Sequence, residues 1–342
     1  MPEPIVSIII VNFNGIRFLK KCLESVYKQS FPSFEVVFVD NGSTDGSIEF
    51  VRKNFPETRL VENGENLGFA AGNNRGIGIS RGGFILTLNN DTELKDDFLI
   101  SLMNAAQHSG KDAAMWAPKI LSMEKKDGID SVGGLLIYPD GSARGRGRLE
   151  KDIGQYDKPA EVFIPSACCA LYKKEMLDSV GLFDEDFFAY CEDTDLGLRA
   201  RLVGWKTLSV PDAVVYHYYS GTAGGFSPFK AFLVERNRIW VTLKILPTRY
   251  LLLTPFYTLW RYSVHAYGLF SGKGPGARLK EKGSLMGLFF ILLKAYFSAI
   301  GKIPSMLLKR KEIRKSRRVP VKTVGEWLKR YSISAKELVL KD

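Results

Sequence analysis

The sequence predicts an α/β fold, a mostly parallel sheet flanked by helices, followed by a helical C-terminal region of different character. Three observations carry this expectation. Short apolar runs alternate with segments of helical spacing through the first third of the chain, polar turns rich in Asn and Asp follow those runs, and charge divides abruptly near residue 230.

Val6–Val11, Phe34–Val39, Arg59–Val61 and Phe84–Leu88 are short and mostly β-branched, aromatic or leucine, which predicts strands. Phe18–Gln29, Ser47–Asn54 and Ala70–Ser80 lie between them with helix-like spacing. Alternation of this kind predicts βαβ units and a parallel sheet. Ligands of such sheets bind beyond the carboxyl ends of the strands, so the turns there are where chemistry is expected.

Residues 121–160 are rich in Gly, Lys, Arg and Asp. Pro139-Asp140-Gly141 predicts a hairpin turn, with a mobile loop after it at Arg144–Arg148. Strands are predicted again within Val162–Tyr172, Lys206–Val210 and Ala213–Tyr216, and a helix opens near Asp193. A chain of 342 residues, 45% hydrophobic, can bury one large core plus an appendage, expected over 1–225 and 226–342.

The net charge of +11 hides an asymmetry. Residues 1–229 hold 24 Lys and Arg against 31 Asp and Glu, whereas residues 230–342 hold 24 against 6. Such a tail meets something anionic, either lipid head groups or nucleic acid. Its basic residues are interleaved with long Leu and Phe runs, which favours an anionic membrane surface and argues against nucleic acid. Ile239–Phe270 is apolar and aromatic but broken by Pro247 and Pro255. Leu285–Leu308 is apolar except for Lys294 and Lys302; with Lys309 these fall within about 80° of one another on a helix, a narrow polar stripe. A bilayer span needs about 20 consecutive apolar residues, and the longest uncharged stretch here is about half that. The expectation is an amphipathic helix lying in the interface, backed by the polybasic run Lys309–Arg318. The plainer alternative is a helical subdomain whose basic residues are merely solvated.

Cys22 and Cys191 stand alone and Cys168-Cys169 are adjacent, which fits no common zinc spacing and predicts reduced thiols. The first apolar run, Ile5–Val11, is short and lacks a basic leader, so no secretory signal is expected and a cytoplasmic location follows.

Four polar loops are expected on one sheet edge: Asn12-Phe13-Asn14-Gly15, Asp40–Asp45, Asn66-Leu67-Gly68-Phe69 and Asn89-Asn90-Asp91. Singly, each is a helix cap or a turn. Together they would converge on one crevice. Neither G-x-G-x-x-G nor G-x-x-x-x-G-K-[ST] occurs, so a phosphate in that crevice calls for a metal ion rather than a glycine cradle. Glu192-Asp193-Thr194-Asp195 puts three carboxylates at a helix start, where the dipole favours their ionised form and one could serve as general base. A lone histidine such as His217 is by itself more often structural than a ligand.

Ser7–Gly15, Val39–Asp45, Asn66–Gly76, Leu88–Asp91 and Glu192–Trp205 together resemble glycosyltransferase family 2, in order and spacing as well as content. The similarity covers roughly residues 5–240 and is greatest to rhamnosyltransferase-like members that build bacterial surface polysaccharides. It implies a nucleotide-diphosphosugar transferase fold of the GT-A type and inversion at the anomeric carbon. It assigns Val11, Phe13, Asn14 and Asp40 to the nucleoside of a dTDP- or UDP-sugar donor, and Asn66, Gly68 and Asn74 to the same pocket. Asn90 and Asp91 take the Asp-x-Asp position that binds diphosphate through Mg²⁺ or Mn²⁺, and His217 completes the metal site. Asp193 becomes the catalytic base, with Glu192 and Asp195 in support. Only the last residue of Asn89-Asn90-Asp91 is a carboxylate, so the ion would rely on the donor's phosphates and on water. The basic tail then implies a lipid-linked glycan acceptor, met by an enzyme peripheral to the inner face of the cell membrane. Alternatives are a sugar nucleotidyltransferase, which calls for a glycine-rich basic first loop unlike Asn12–Gly15, and a sugar-nucleotide-binding protein without turnover.

Overall fold

The computed structural model describes residues 3–125, 127–218, 227–272 and 285–341. They fall into two compact units. The first comprises Met1–Gly134, Gly145–Arg201 and Trp205–Gly225; the second comprises Leu135–Arg144, Leu202–Gly204 and Phe226–Asp342.

In the first unit the expected strands form β1 (Val6–Asn12), β2 (Phe34–Asp40), β3 (Arg59–Glu62) and β4 (Phe84–Asn89), all parallel. They are joined by α1 (Ile16–Tyr27), α2 (Ser47–Asn54) and α3 (Gly68–Ile79). The strands read as continuous apolar runs because both faces of the sheet are covered. Ile8 and Ile10 face one core with Leu19, Leu23 and Val26 of α1, while Ile9 faces the other with Ala70 and Ile77 of α3.

The sheet continues through β5 (Thr92–Leu94), β6 (Ala113–Ser122), β7 (Ile129–Val132), β10 (Glu161–Val162), β11 (Cys169–Lys173) and β12 (Lys206–His217). Its order is β10-β12-β6-β11-β4-β1-β2-β3, with β5 on β12 and β7 on β6. β12 runs parallel to β6, while β11, β10, β5 and β7 are antiparallel to their neighbours. Helices α4 (Phe98–Gln107), α5 (Lys174–Val180) and α6 (Glu192–Leu202) complete the unit. The two strands expected at 206–216 are one strand, irregular between Val210 and Val214. Pro211 has no N–H to donate, and the bulge takes it out of the ladder.

In the second unit β8 (Leu135–Ile137) pairs with β9 (Ala143–Gly145) across the expected Pro139–Gly141 turn. Around it stand α7 (Pro228–Ile245), α8 (Thr248–Leu251), α9 (Thr254–Ser271), α10 (Leu285–Gly301), α11 (Ile303–Ser316), α12 (Val321–Arg330) and α13 (Ala335–Leu340). The single interfacial helix expected over 285–308 is instead two helices meeting at 58°. Pro304 explains the break, since proline fits the first turn of a new helix but not the interior of a continuing one. Among the described residues no single helix is long and apolar enough to cross a membrane, although this bent pair passes together by length and composition.

The basic run at 309–318 is partly consumed internally. Arg310 is buried and donates to the Leu243 carbonyl at 2.6 Å, and Arg314 donates to the Thr248 hydroxyl at 2.7 Å.

Candidate active site

β1 and β4 are neighbours, and the chain leaves them in opposite directions, from β1 to β2 on one side and from β4 to β5, which pairs with β12, on the other. Their carboxyl ends therefore flank the crevice expected of such a sheet. A chain of amides binds three of the predicted loops together there. Buried Asn12 donates to Asp40 Oδ1 at 3.1 Å and to Ser43 Oγ at 3.0 Å, and its own Oδ1 accepts from Asn90 Nδ2 at 2.6 Å. Asp40 is held from its other side by the Ser43 backbone N–H at 2.7 Å. Gly15 lies against this array, and a Cβ there would collide with the Asn90 and Asn12 amides. Asn14 ties the first loop to the second, its N–H donating to Ser43 and its Oδ1 accepting from Thr44. Val11 and Phe13 remain partly open beside the array.

The third loop joins through Asn41, which donates to the Gly68 carbonyl at 3.0 Å. Exposed Asn66 accepts from Gly68 N–H at 3.0 Å. Gly68 sits at φ +83, a conformation that suits glycine, and an added Cβ would meet Phe188 at 2.6 Å. The resemblance placed Asn74 beside the donor. Its amide is instead committed to Phe183 (2.8 and 3.1 Å) and Glu185 (2.9 Å), so its work is to tie α3 to the segment before α6.

Asn90-Asp91 makes the tight turn between β4 and β5. β5 pairs antiparallel with the end of β12, setting His217 opposite Thr92 and thus beside Asp91. His217 Nε2 lies 3.4 Å from Asp91 Oδ1, a buried oxygen with no hydrogen-bond partner. On its far side His217 Nδ1 is 2.7 Å from Asp130 Oδ2. Asp130 falls at an irregularity of β7, between Ile129 and Ser131, which pair with Leu121 and Ile120. A bulge re-aims a side chain in this way, and here it turns Asp130 onto the imidazole. Arg148 pairs with Asp130 in turn. Burial works against a charged imidazole, yet Cys168, Asp130 and Asp91 together push its pKa well above the ordinary histidine value.

The loop expected to be mobile at Arg144–Arg148 is pinned by its own arginines. In the second unit Arg144 donates to the carbonyls of Glu337, Leu338 and Lys341. In the first, Arg146 donates to Val132 and lies over the Tyr156 ring, and Arg148 holds Asp130.

The acidic cluster separates into three roles. Asp195 is fully buried and accepts from Arg199 Nε at 2.8 Å. Arg199 in turn satisfies the carbonyls of Val180, Gly181 and Leu182 at the end of α5, so this pair is architectural. Half-buried Asp193 accepts from Ala167 N–H (3.3 Å) and from Thr194 N–H (2.7 Å) and Oγ1 (3.3 Å). Burial raises its pKa, and those donors hold the rise in check. Glu192 is buried, with Oε2 lacking any partner, and burial reinforced by Asp193 pushes its pKa well above the carboxylate range. Burial thus raises both neighbouring carboxyl groups, Glu192 more strongly than the better hydrogen-bonded Asp193, and the two titrate as a pair. The raised Glu192 pKa stabilises the fold below the unfolded value, and that contribution is lost as pH rises through the folded one. Glu192→Gln is therefore expected to raise Tm at about pH 9, with the gain vanishing near pH 4; a thermal melt series checks it.

Two backbone features bring the base to the Asp91 end of the crevice. Ala167, which donates to Asp193, is followed by Cys168, whose carbonyl accepts from Asn89 N–H at 2.8 Å. The approach to α6 is strained, with Phe188, Tyr190 and Cys191 all at φ 65–68. Each such residue costs roughly 1–3 kcal/mol and persists where surrounding structure enforces it. Here Phe188 O accepts from Ala70 N–H at 3.0 Å.

Comparison with known proteins bears on what this crevice does. The family described as "Glycosyl transferase family 2" matches residues 7–181, from β1 through α5. The chain belongs to glycosyltransferase family 2. Among its relatives, the N-acetylglucosaminyl-diphospho-decaprenol L-rhamnosyltransferase of Mycobacterium tuberculosis is 27% identical over 64% of this chain and 78% of its own length. The O-antigen biosynthesis protein RfbC of Myxococcus xanthus is 23% identical over 64% of this chain. The chain spans only 18% of RfbC, and 25% of the y4gI protein of Sinorhizobium fredii, to which it is 24% identical. A mannosyltransferase from Pyrobaculum calidifontis, solved with GDP-Man and Mn²⁺, superposes with a TM-score of 0.51 at 17% identity, covering 92% of this chain and 86% of that one. At that identity the likeness shows the fold, which is GT-A.

Of the positions expected from sequence, Asp40, Asn90 and Asp91 converge at the carboxyl ends of the strands, and β5 brings His217 to Asp91. Asn12, Ser43 and Asp130 were not anticipated. Asn12 and Ser43 stand inside quoted motifs and could have been found there; Asp130 has no signal, because its role depends on a bulge.

Proposed function

We propose that this family 2 enzyme is an inverting glycosyltransferase that moves a sugar, rhamnose being the first choice, from a dTDP- or UDP-sugar to a hydroxyl of a lipid-linked glycan. It acts at the cytoplasmic face of the cell membrane, in surface polysaccharide synthesis. The observation that carries the reading is the Asp193 carboxyl group, held by the backbone N–H groups of Ala167 and Thr194, with Ala167 one residue before the Cys168 whose carbonyl pairs with Asn89 beside Asn90-Asp91. The Mycobacterium tuberculosis relative, named for a diphospho-decaprenol acceptor and a rhamnosyl donor, supports the choice of substrates.

A divalent ion, Mg²⁺ or Mn²⁺, fits the residues present. Asp91 Oδ1 is a buried oxygen with no hydrogen-bond partner, facing an imidazole nitrogen that Asp130 orients from behind. Among the described residues no group of three His, Cys, Asp or Glu side chains could hold an ion alone, so its other ligands would be donor phosphates and water. When bound, the ion neutralises charge gathering on the departing diphosphate.

The chain's own residues do the rest. Asn12, Asp40 and Ser43 fix the first two loops around the nucleoside, and Asn90 fixes the diphosphate turn to them. Asp193 Oδ takes the proton from the acceptor hydroxyl as that oxygen attacks the anomeric carbon from the face opposite the leaving group.

Incubation with a panel of nucleotide sugars and Mn²⁺, with release of nucleoside diphosphate as the readout, tests the proposal. Slow hydrolysis of one donor, abolished by EDTA, supports it and names the donor. Absence of both hydrolysis and donor-induced thermal stabilisation across the panel would refute it.

Asp130→Asn keeps the shape but weakens the hydrogen bond that orients His217. Second-shell changes of this kind cost about 10- to 100-fold in metal affinity. Mn²⁺ binding in the presence of nucleoside diphosphate, followed by electron paramagnetic resonance, is expected to weaken by that factor.

A further inference from the structure

The second unit combines buried charge with outward apolar faces. Beside Leu233, Trp240, Val241 and Ile245, α7 buries Glu235, Asn237, Arg238 and Lys244. α9 turns Thr258 and Arg261 inward, while Phe256, Leu259, Trp260, Tyr267 and Phe270 face out, each at least 57% exposed. Within that interior runs an ion network. Arg261 donates to Asp140 and Glu235, both at 2.7 Å, and Arg238 donates to Glu235 at 2.7 Å and to the Tyr262 and Tyr296 hydroxyls. α10 repeats the pattern: Ala295 and Ala299 are buried, whereas Phe289, Phe290, Phe297 and Ile300 are exposed. Among the described residues of the first unit, by contrast, only Ile153 of the large apolar side chains exceeds 40% exposure.

Paired charges inside and aromatic and aliphatic side chains outside are what a helix presents when lipid rather than water is its solvent. We infer that the outer faces of α9 and α10 insert into the acyl region of one leaflet of an anionic bilayer. Charge selects lipid over a second copy of the chain, since residues 230–342 hold 24 Lys and Arg against 6 Asp and Glu and two such surfaces repel. The 18 residues of α9 span about 27 Å at 1.5 Å each, and no single described helix qualifies as a span, so the helices lie within the leaflet instead of crossing the membrane. The inference rests on the membrane location proposed above and adds how contact is made. Electrostatic attraction of the basic run is not the main attachment; apolar insertion is.

The test uses the full chain and phosphatidylglycerol–phosphatidylcholine vesicles with brominated acyl chains and no lipid-linked saccharide. Bromolipid is expected to quench tryptophan emission, with the quenching largely lost in Trp260→Phe. Co-sedimentation should survive about 1 M NaCl, which screens charge beyond about 3 Å. The double variant Phe256→Glu, Phe270→Glu changes exposed side chains only; it should keep the wild-type Tm and rate of donor hydrolysis and lose partitioning by about tenfold or more. Equal quenching of wild type and Trp260→Phe, or full release by salt, would overturn the inference. So would a dimer in sedimentation that forms without vesicles and is dissociated by the double variant. The acceptor reading fails separately: vesicle insertion without transfer to a lipid-linked saccharide would refute that reading and leave this one, and transfer in detergent without vesicle insertion would do the reverse.

Discussion

Asp193→Asn is expected to fold normally and to lose turnover by about 10²–10⁴-fold, the range typical of a positioned general base. The amide keeps the size of the side chain and can keep one acceptor toward Thr194, so α6 should begin where it does now. Donor affinity, measured by thermal shift or calorimetry, should change less than threefold or so, because the lost contact forms only as the acceptor is deprotonated. That separation of binding from turnover is the decisive readout. Near-normal turnover would remove Asp193 from the mechanism and direct attention to Glu192. The pH profile carries a second check. Because burial raises the Asp193 pKa, the acid limb of kcat should lie above the ordinary aspartate value, and the Asn variant's residual activity should lack that limb.

Asp91→Ala should be the other severe lesion, with both donor affinity and turnover falling, by about 10²-fold or more in turnover. Its Oδ1 makes no hydrogen bond and lies 3.4 Å from His217 Nε2, an imidazole that Asp130 also holds. Removing the carboxylate should therefore lower Tm by no more than about a few degrees while Mn²⁺-dependent donor binding is lost. Loss of stability without loss of Mn²⁺-dependent donor binding would show that Asp91 serves the fold rather than the ion.

Much of this architecture was legible because its signals are local. β1, β2 and β4 announce themselves as apolar runs ending in Asn or Asp, and α1 carries its buried stripe Leu19, Cys22, Leu23 and Val26 at helical spacing. What was not legible depends on partners distant in sequence. Asn74 looks like a pocket residue until the segment 109 residues later claims its amide. Glu192 and Asp193 are neighbours of the same chemical type, and only burial and backbone donors set their pKa values apart. The polarity of α9 was hidden as well, because composition reports how apolar a helix is and not which face meets its neighbours.

The amide chain Asn12–Asn90 also bears on mutability. Replacing Asn90 by Asp would restore the second carboxylate of the metal motif, yet it would set an acceptor against Asn12 Oδ1 at 2.6 Å. Turning the Asn12 amide over would relieve that clash only by breaking its bonds to Asp40 and Ser43, and Gly15 leaves no room for any other side chain beside it. No single substitution gains by itself, so positions 12, 15, 40, 43 and 90 form one epistatic block. Substitution at any one of them is expected to cost more than the same change at the exposed Asn66 or Phe13, a difference that thermal melts of single variants would measure.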